Sequence, residues 1–324
     1  MIITRTPFRV SFAGGGSDLK DYYQNYGGAV LSTSINKYMY LSMHPYFQRD
    51  GYFLKYSKLE CVDNVDKIQH RIIKQVLDDY KIMGIDFNSS ADIPSGTGLG
   101  SSSAFTAGLI NLCNIYTQKY MKKTEIANYA CEIEIEKLKE PIGKQDQYAC
   151  AIGGLNFISF NQDDVVTTEK IILDKNKSNK LQNNLLMFYT GSDRSASAIL
   201  KEQKENIADS KKTENLQKMV KLAYELKDEL LRGNIDCFGE ILHKGWLYKK
   251  ELSSQITNEK IDYYYNLAMQ NGATGGKLLG AGQNGFLLFH ADENNQKQLR
   301  EALKDLKELD FQFENIGTTV IYGN

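Results

Sequence analysis

The sequence predicts an α+β protein of two domains, and three observations carry that reading. Runs of β-forming residues and amphipathic helical stretches follow one another in mixed order, without the strict alternation of a parallel α/β sheet. The 324 residues are enough for about two domains of ordinary size. Hydrophobic residues at 42% and charged residues at 24% are proportions that let a chain bury a core.

In chain order, residues 8–13 (FRVSFA) and 37–43 (KYMYLSM) cluster β-formers, and 85–93 (IDFNSSADI) leads into a proline and glycine turn. Directly behind that turn, 101–119 carries apolar residues at helical spacing after three serines suited to N-capping. A second helix is expected over 124–139 with Thr124 as its cap, and a short helix over 144–151 after the loop marked by Pro141. Strands follow at 153–160 and 165–173. The polar stretch 174–184 (DKNKSNKLQNN) lacks an apolar period and reads as the crossover between domains. Beyond it come a strand (LLMFYTG), amphipathic helices between 195 and 270, and two strands joined by a glycine-rich turn in KLLGAGQNGFLLFH. A helix near 294–308 and two short strands close the chain.

With 39 basic and 40 acidic side chains the net charge is −1, so a nucleic-acid partner would need a local basic stripe. Only seven of the cations are arginines, which makes each of them a candidate fork for carboxylate or phosphate. Five cysteines without a C-x-x-C pair read as reduced thiols of a cytoplasmic protein. The four histidines share no ligand spacing, and no structural zinc site is expected. Arginines and polar residues interrupt the apolar N-terminal stretches, and no later run reaches membrane-spanning length, so secretion and membrane insertion are both disfavoured.

The strongest local signal is PSGTGLGSSSA, residues 94–104. Glycines at alternate positions let the backbone approach an anion, and the serine-rich helix start behind them presents free N–H groups and the positive end of its dipole. The Lys that a Walker A loop requires is absent, and the spacing is G-x-G-x-G, not the G-x-G-x-x-G of a dinucleotide site. A second segment, GAGQNG at 280–285, does match G-x-G-x-x-G, but it lies between two strand-like runs and also reads as a hairpin turn. The third, AGGGSDL at 13–19, places Ser17 and Asp18 at a helix start, where an aspartate also serves as a simple dipole partner. Asp146, in EPIGKQDQYACAIGG, is a candidate general base, with Lys144 close enough in sequence to hold it ionised; a solvated loop carboxylate is the alternative.

Taken together and in this order, TPFRVSFAGGGSD, PSGTGLGSSSA and KLLGAGQNGF resemble the three anchor segments of the GHMP small-molecule kinases. Within that superfamily PFRVSFAGGGSDL combined with EPIGKQDQYA is most similar to the bacterial D-glycero-D-manno-heptose 7-phosphate kinases. The resemblance implies an N-terminal domain of the ribosomal-protein-S5 domain-2 type over 1–180, a ferredoxin-like C-terminal domain over 181–324, and an active site between them. It implies ATP and Mg²⁺ as cofactors, with Gly96, Gly98, Gly100, Ser101 and Ser102 around the phosphates and Ser102 and Glu134 at the metal. Asp146 matches the catalytic aspartate, Arg9 the arginine that activates the sugar hydroxyl, and Asp18 an aspartate that binds the sugar; Lys144 is a third charge beside the transferring group.

The chain also departs from its relatives. Gly15 and Gly16 stand where galactokinases carry a Glu-His pair, which argues against galactose and leaves space or backbone N–H groups for another sugar. The third anchor reads GAGQNG in place of GAGGGG, so beside Gly282 the residues Gln283 and Asn284 must accept a tight turn, which Asn does more readily than Gln. The expected reaction is phosphoryl transfer from ATP to the anomeric hydroxyl of a sugar that already carries a phosphate, with Arg194 as first and Lys277 as second candidate for holding that distal phosphate. The expected partners are ATP and a phosphorylated sugar, with no nucleic acid, no membrane and a homodimer left open. An unphosphorylated sugar such as fucose, a mevalonate-like alcohol, or a non-catalytic sensor role are the competing readings.

Overall fold

The computed structural model describes residues 1–48, 50–191 and 210–323, and they build on two sheets. Strand β1 (Ile2–Ala13) lies antiparallel to the long strand β2 (Gly28–Pro45) at the centre of the first sheet. The far edge of β2 is shared by β6 (Leu155–Phe160) and β5 (Ile85–Ala91), which pair with its two halves. Beyond β5 come β3 (Tyr52–Lys55) and β4 (Leu59–Val62), and beyond β6 comes β7 (Val166–Lys170).

Strand β2 is far longer than the 37–43 expected from sequence, for a physical reason. Its residues 28–35 are buried on both faces, and only the later half alternates between buried and half-buried side chains. A strand covered on both sides carries no period of two to read.

The second sheet is antiparallel, in the order β11 (Lys307–Glu308), β8 (Leu185–Gly191), β10 (Gly285–His290), β9 (Gly275–Leu278). Helix α8 (Phe238–Lys250) packs on β9 and against α7 (Ser210–Leu231), with α9 (Glu259–Gln270) and α10 (Gln296–Ala302) completing this half. The last strands, β12 (Phe313–Glu314) and β13 (Thr319–Tyr322), return to the first sheet and pair with β2 and β1. The two halves also share a core: Leu222, Leu226, Phe238 and Leu242 bury among first-sheet residues, with the Phe238 ring edge-on to Phe12 at 4.9 Å.

Of the helices around the first sheet, α3 (Ser101–Tyr116) follows the glycine loop as expected, and α5 (Gln145–Ile152) follows Pro141. The 124–139 segment differs. Helix α4 (Lys123–Cys131) is capped at Lys122, whose backbone N–H donates to Glu125, so Thr124 lies inside it; over Glu132–Lys137 the winding widens to a π-turn. The expected crossover 174–184 is helix α6 (Lys175–Asn183), started by the Asp174 side chain accepting from Lys177 N. Leu181 alone is buried in it, which is why no apolar stripe marks it in the sequence. A division of the chain at 180/181 falls within this helix. Among the described residues no helix is long and apolar enough to cross a membrane, and all five cysteines are free.

Candidate active site

Arg9 sits in the middle of β1, opposite Ser34 of β2, and its side chain is almost fully buried. Its guanidinium ties three segments together. Nε and Nη2 donate to Asp146 Oδ1 and Oδ2 at 2.7 and 2.6 Å, Nη1 donates to Gly98 O at 2.6 Å, and its backbone N–H donates to Leu99 O at 3.0 Å. Burial works against its charge, yet the bidentate carboxylate outweighs this and holds the guanidinium above its ordinary pKa. Asp146, in the first turn of α5, keeps a quarter of its side chain exposed toward the cleft.

The loop before α3 curls through left-handed backbone at Gly96, Gly98 and Gly100, so the N-terminus of α3 at Ser101 opens into the same cleft. A Cβ on Gly98 would lie 2.6 Å from Leu279 O and 3.0 Å from Gly280 Cα, so this loop touches the second-domain glycine turn backbone to backbone. Behind the loop, Glu134 is fully buried and accepts from Ser102 Oγ (2.7 Å), Ser103 Oγ (2.8 Å) and Gln147 Nε2 (2.8 Å). Burial raises its pKa, and the three donors pull it back only in part. The π-turn aims this carboxylate at α3, the kind of irregularity common at functional sites.

On the opposite side of Asp146, Asp18 accepts from Gly16 N (3.1 Å), Gln145 N (3.2 Å) and Gln145 Nε2 (2.9 Å). Burial, then the neighbouring Asp146, raise its pKa. Gly143 is obligatory beside it, since a Cβ there would lie 2.0 Å from Asp18 Oδ2. Gly15, Gly16 and Gly282 line the same cleft. In the GAGQNG turn the left-handed residue other than glycine is Gln283 (φ 65°), not Asn284. It is pinned there by Gln283 N donating to Ile256 O and Asn258 Nδ2 donating to Gln283 O, both at 2.8 Å.

One sequence expectation changes. Lys144 does not hold Asp146: its Nζ bonds Asp164 Oδ1 at 2.6 Å and lies over the Tyr23 ring, outside the cleft lining, because Arg9 already takes both carboxylate oxygens. Arg194 lies outside the described residues. Lys277, the second candidate, is buried in the cleft wall and donates to Phe12 O at 3.0 Å.

Sequence reasoning missed Lys249 on α8, a buried lysine whose Nζ donates to Leu278 O and Gly280 O. A signal existed: Phe238, Ile241, Leu242, Trp246 and Lys249 form one buried face at helical spacing, and a lysine there breaks the pattern. Ser11 was missed too; its buried Oγ has no partner and lines the cleft.

The cleft holds about 310 Å³ between the halves. Its glycine loop and helix N-terminus suit a polyphosphate. Ser102 beside the buried Glu134 offers oxygen ligands to a hard divalent cation.

Comparison with known proteins agrees with this architecture. The GHMP kinases N terminal domain matches residues 67–154 and the GHMP kinases C terminal domain residues 226–308, together more than half of the chain. A D-glycero-alpha-D-manno-heptose 7-phosphate kinase from Campylobacter jejuni subsp. jejuni is 31% identical, covering 94% of this chain and 93% of that protein. A crystal structure described as a D-glycero-D-manno-heptose 1-phosphate kinase from Bacteroides thetaiotaomicron superposes with TM-score 0.82 at 25% identity and full coverage of both chains. A putative sugar kinase from Campylobacter jejuni gives 0.77 at 28% identity, covering 98% of this chain and 97% of that one. Carried by matches that span both halves of its cleft, the chain belongs to the GHMP kinases, phosphotransferases that draw on ATP.

Proposed function

We propose that this chain is a sugar-1-kinase that transfers the γ-phosphoryl group of ATP to the anomeric hydroxyl of D-glycero-D-manno-heptose 7-phosphate, giving the 1,7-bisphosphate. The observation that carries the reading is the Arg9–Asp146 fork clamped to Gly98 of the glycine loop, which sets a carboxylate beside the phosphate cradle. The name of the 31%-identical relative supplies the sugar.

In this reading the α3 N-terminus and the backbone of Gly96 to Ser101 receive the triphosphate. Asp146 takes the proton of the attacking hydroxyl as its oxygen forms the new P–O bond and the bond to the β-phosphate oxygen breaks, leaving ADP. Arg9 balances the charge that builds between the two, while Asp18, Gly15 and Gly16 shape the sugar side of the cleft. Ser102 and Glu134 would hold Mg²⁺, which when bound neutralises phosphate charge.

The test is incubation of the purified protein with ATP, Mg²⁺ and either the 7-phosphate sugar, the unphosphorylated heptose, fucose or mevalonate, with products weighed by mass spectrometry. The proposal expects one added phosphoryl group on the 7-phosphate sugar and far slower turnover of the others. Faster turnover of an unphosphorylated acceptor would overturn it.

A further inference from the structure

Lys249 and Lys277 face the cleft from the second domain, on α8 and β9, and both are buried. Among the described residues neither pairs with a carboxylate: Lys249 Nζ donates to two backbone carbonyls and Lys277 Nζ to one. An ammonium carries three N–H groups, so donors remain on both. Burying a cation without a counter-charge is costly, so two such amines in one wall either shed protons or are met by an anion. Ser11 Oγ, buried and unpartnered, adds a third unused polar group to the same cleft.

The position of Lys277 selects which anion. The ATP side already has the glycine loop, the α3 N-terminus and the Ser102–Glu134 pair. Lys277 bonds Phe12 O next to Ser11, whose Oγ is 3.6 Å from where a Cβ on Gly15 would stand, on the Gly15 side of the cleft, while Lys249 bonds Gly280 O, which abuts Gly98 of the glycine loop. We propose that Lys249 and Lys277, with Ser11, form the receptor for the non-reacting phosphate dianion of the acceptor sugar. This rests on the sugar-phosphate reading above and deepens it: the second domain selects the phosphorylated acceptor, while the first carries the phosphoryl-transfer groups.

A consequence concerns protons. Burial, then the nearby charge of Arg9, lowers the Lys249 pKa to about 7; burial, Lys249 and Arg9 hold Lys277 well below its ordinary value. The other charged groups lining the same cleft are Asp18, Glu140 and Asp146. At pH 8 Lys249 is therefore short of its proton until a dianion arrives, and binding takes a proton up.

The experiment compares kcat/KM for heptose 7-phosphate with that for unphosphorylated heptose in wild type, Lys249→Met and Lys277→Met. Each substitution is expected to lower that ratio about ten- to a hundredfold, the range of a lost hydrogen bond to a charged group. An unchanged ratio, whatever the fall in absolute rate, overturns the proposal, because it would place the amines on ATP or on domain packing. A second measurement avoids dependence on the sugar and on the variants' folding. With the donor side filled by a non-hydrolysable ATP analogue and Mg²⁺, inorganic phosphate is titrated into wild type at pH 8 in two buffers of different ionisation enthalpy. Net proton uptake by the protein supports the amine receptor, and its absence contradicts it. If wild type phosphorylates neither heptose, the functional reading fails, while the phosphate titration still decides on the lysine pair.

Discussion

The two walls of the cleft handle charge in opposite ways. On the first-domain wall Arg9 and Asp146 neutralise each other, Glu134 sits under three donors and Asp18 under three more. On the second-domain wall Lys249 and Lys277 have only carbonyl oxygens. A wall whose charges are internally paired is preorganised before any ligand arrives, whereas a wall of unpaired amines is completed by what binds. In the proposed reading the phosphoryl-transfer groups and the sugar-side loop lie on the first wall and the receptor for the acceptor's phosphate on the second, the two held in register by the Gly98–Gly280 contact and the shared Phe12–Phe238 core.

The largest effect that could break this division is expected at Asp146. Asp146→Asn should lower kcat by at least about 10²-fold with little change in ATP binding, the loss typical of a removed general base; near-normal turnover would remove Asp146 from that role. Glu134→Gln comes next, with the Mg²⁺ concentration for half-maximal rate raised about tenfold or more and the acceptor KM nearly unchanged. A metal titration of initial rates reads this directly.

The unpaired wall makes a smaller, signed prediction in the ligand-free protein. Lys249 is depressed to about 7 in the fold and ordinary when unfolded, so between those values the unfolded chain binds more protons. Stability should therefore rise with pH above about 7, by up to about 1.4 kcal/mol per pH unit for this one group. Denaturation at pH 7 and pH 9 should give a shallower rise for Lys249→Met than for wild type; equal slopes would contradict the depressed lysine. The smallest effect belongs to Lys144. Because it pairs with Asp164 and Tyr23 away from the reacting groups, Lys144→Met should change kcat by no more than about threefold and cost about 1 kcal/mol in urea unfolding. A hundredfold loss of kcat would return it to the chemistry.

The same contrast explains what the sequence could tell. Arg9, Asp146, Asp18 and the glycine loop stand in short contiguous motifs whose residue types state their chemistry, so the first wall was legible apart from Lys144. Proximity in sequence suggested Lys144 as the partner of Asp146, but helix α5 turns its first residues to different sides, and an arginine 137 positions away supplies the fork. Lys249 carries no motif; it shows only as a charge on an apolar helix face. Among the fold elements, β2 and α6 were hard to read because burial on both faces of one and a single buried leucine in the other erase periodicity. The Gln283 turn went against backbone preference, since two tertiary hydrogen bonds override what Gln alone would choose.

The central claim is that the Arg9–Asp146 wall phosphorylates the anomeric hydroxyl of a sugar phosphate. Phosphorus NMR of the product formed from ATP and heptose 7-phosphate tests it most directly. Wild type should give a new phosphate resonance coupled to the anomeric proton and Asp146→Asn almost none; a newly added phosphate on any carbon other than the anomeric one, or equal product from the variant, would contradict it.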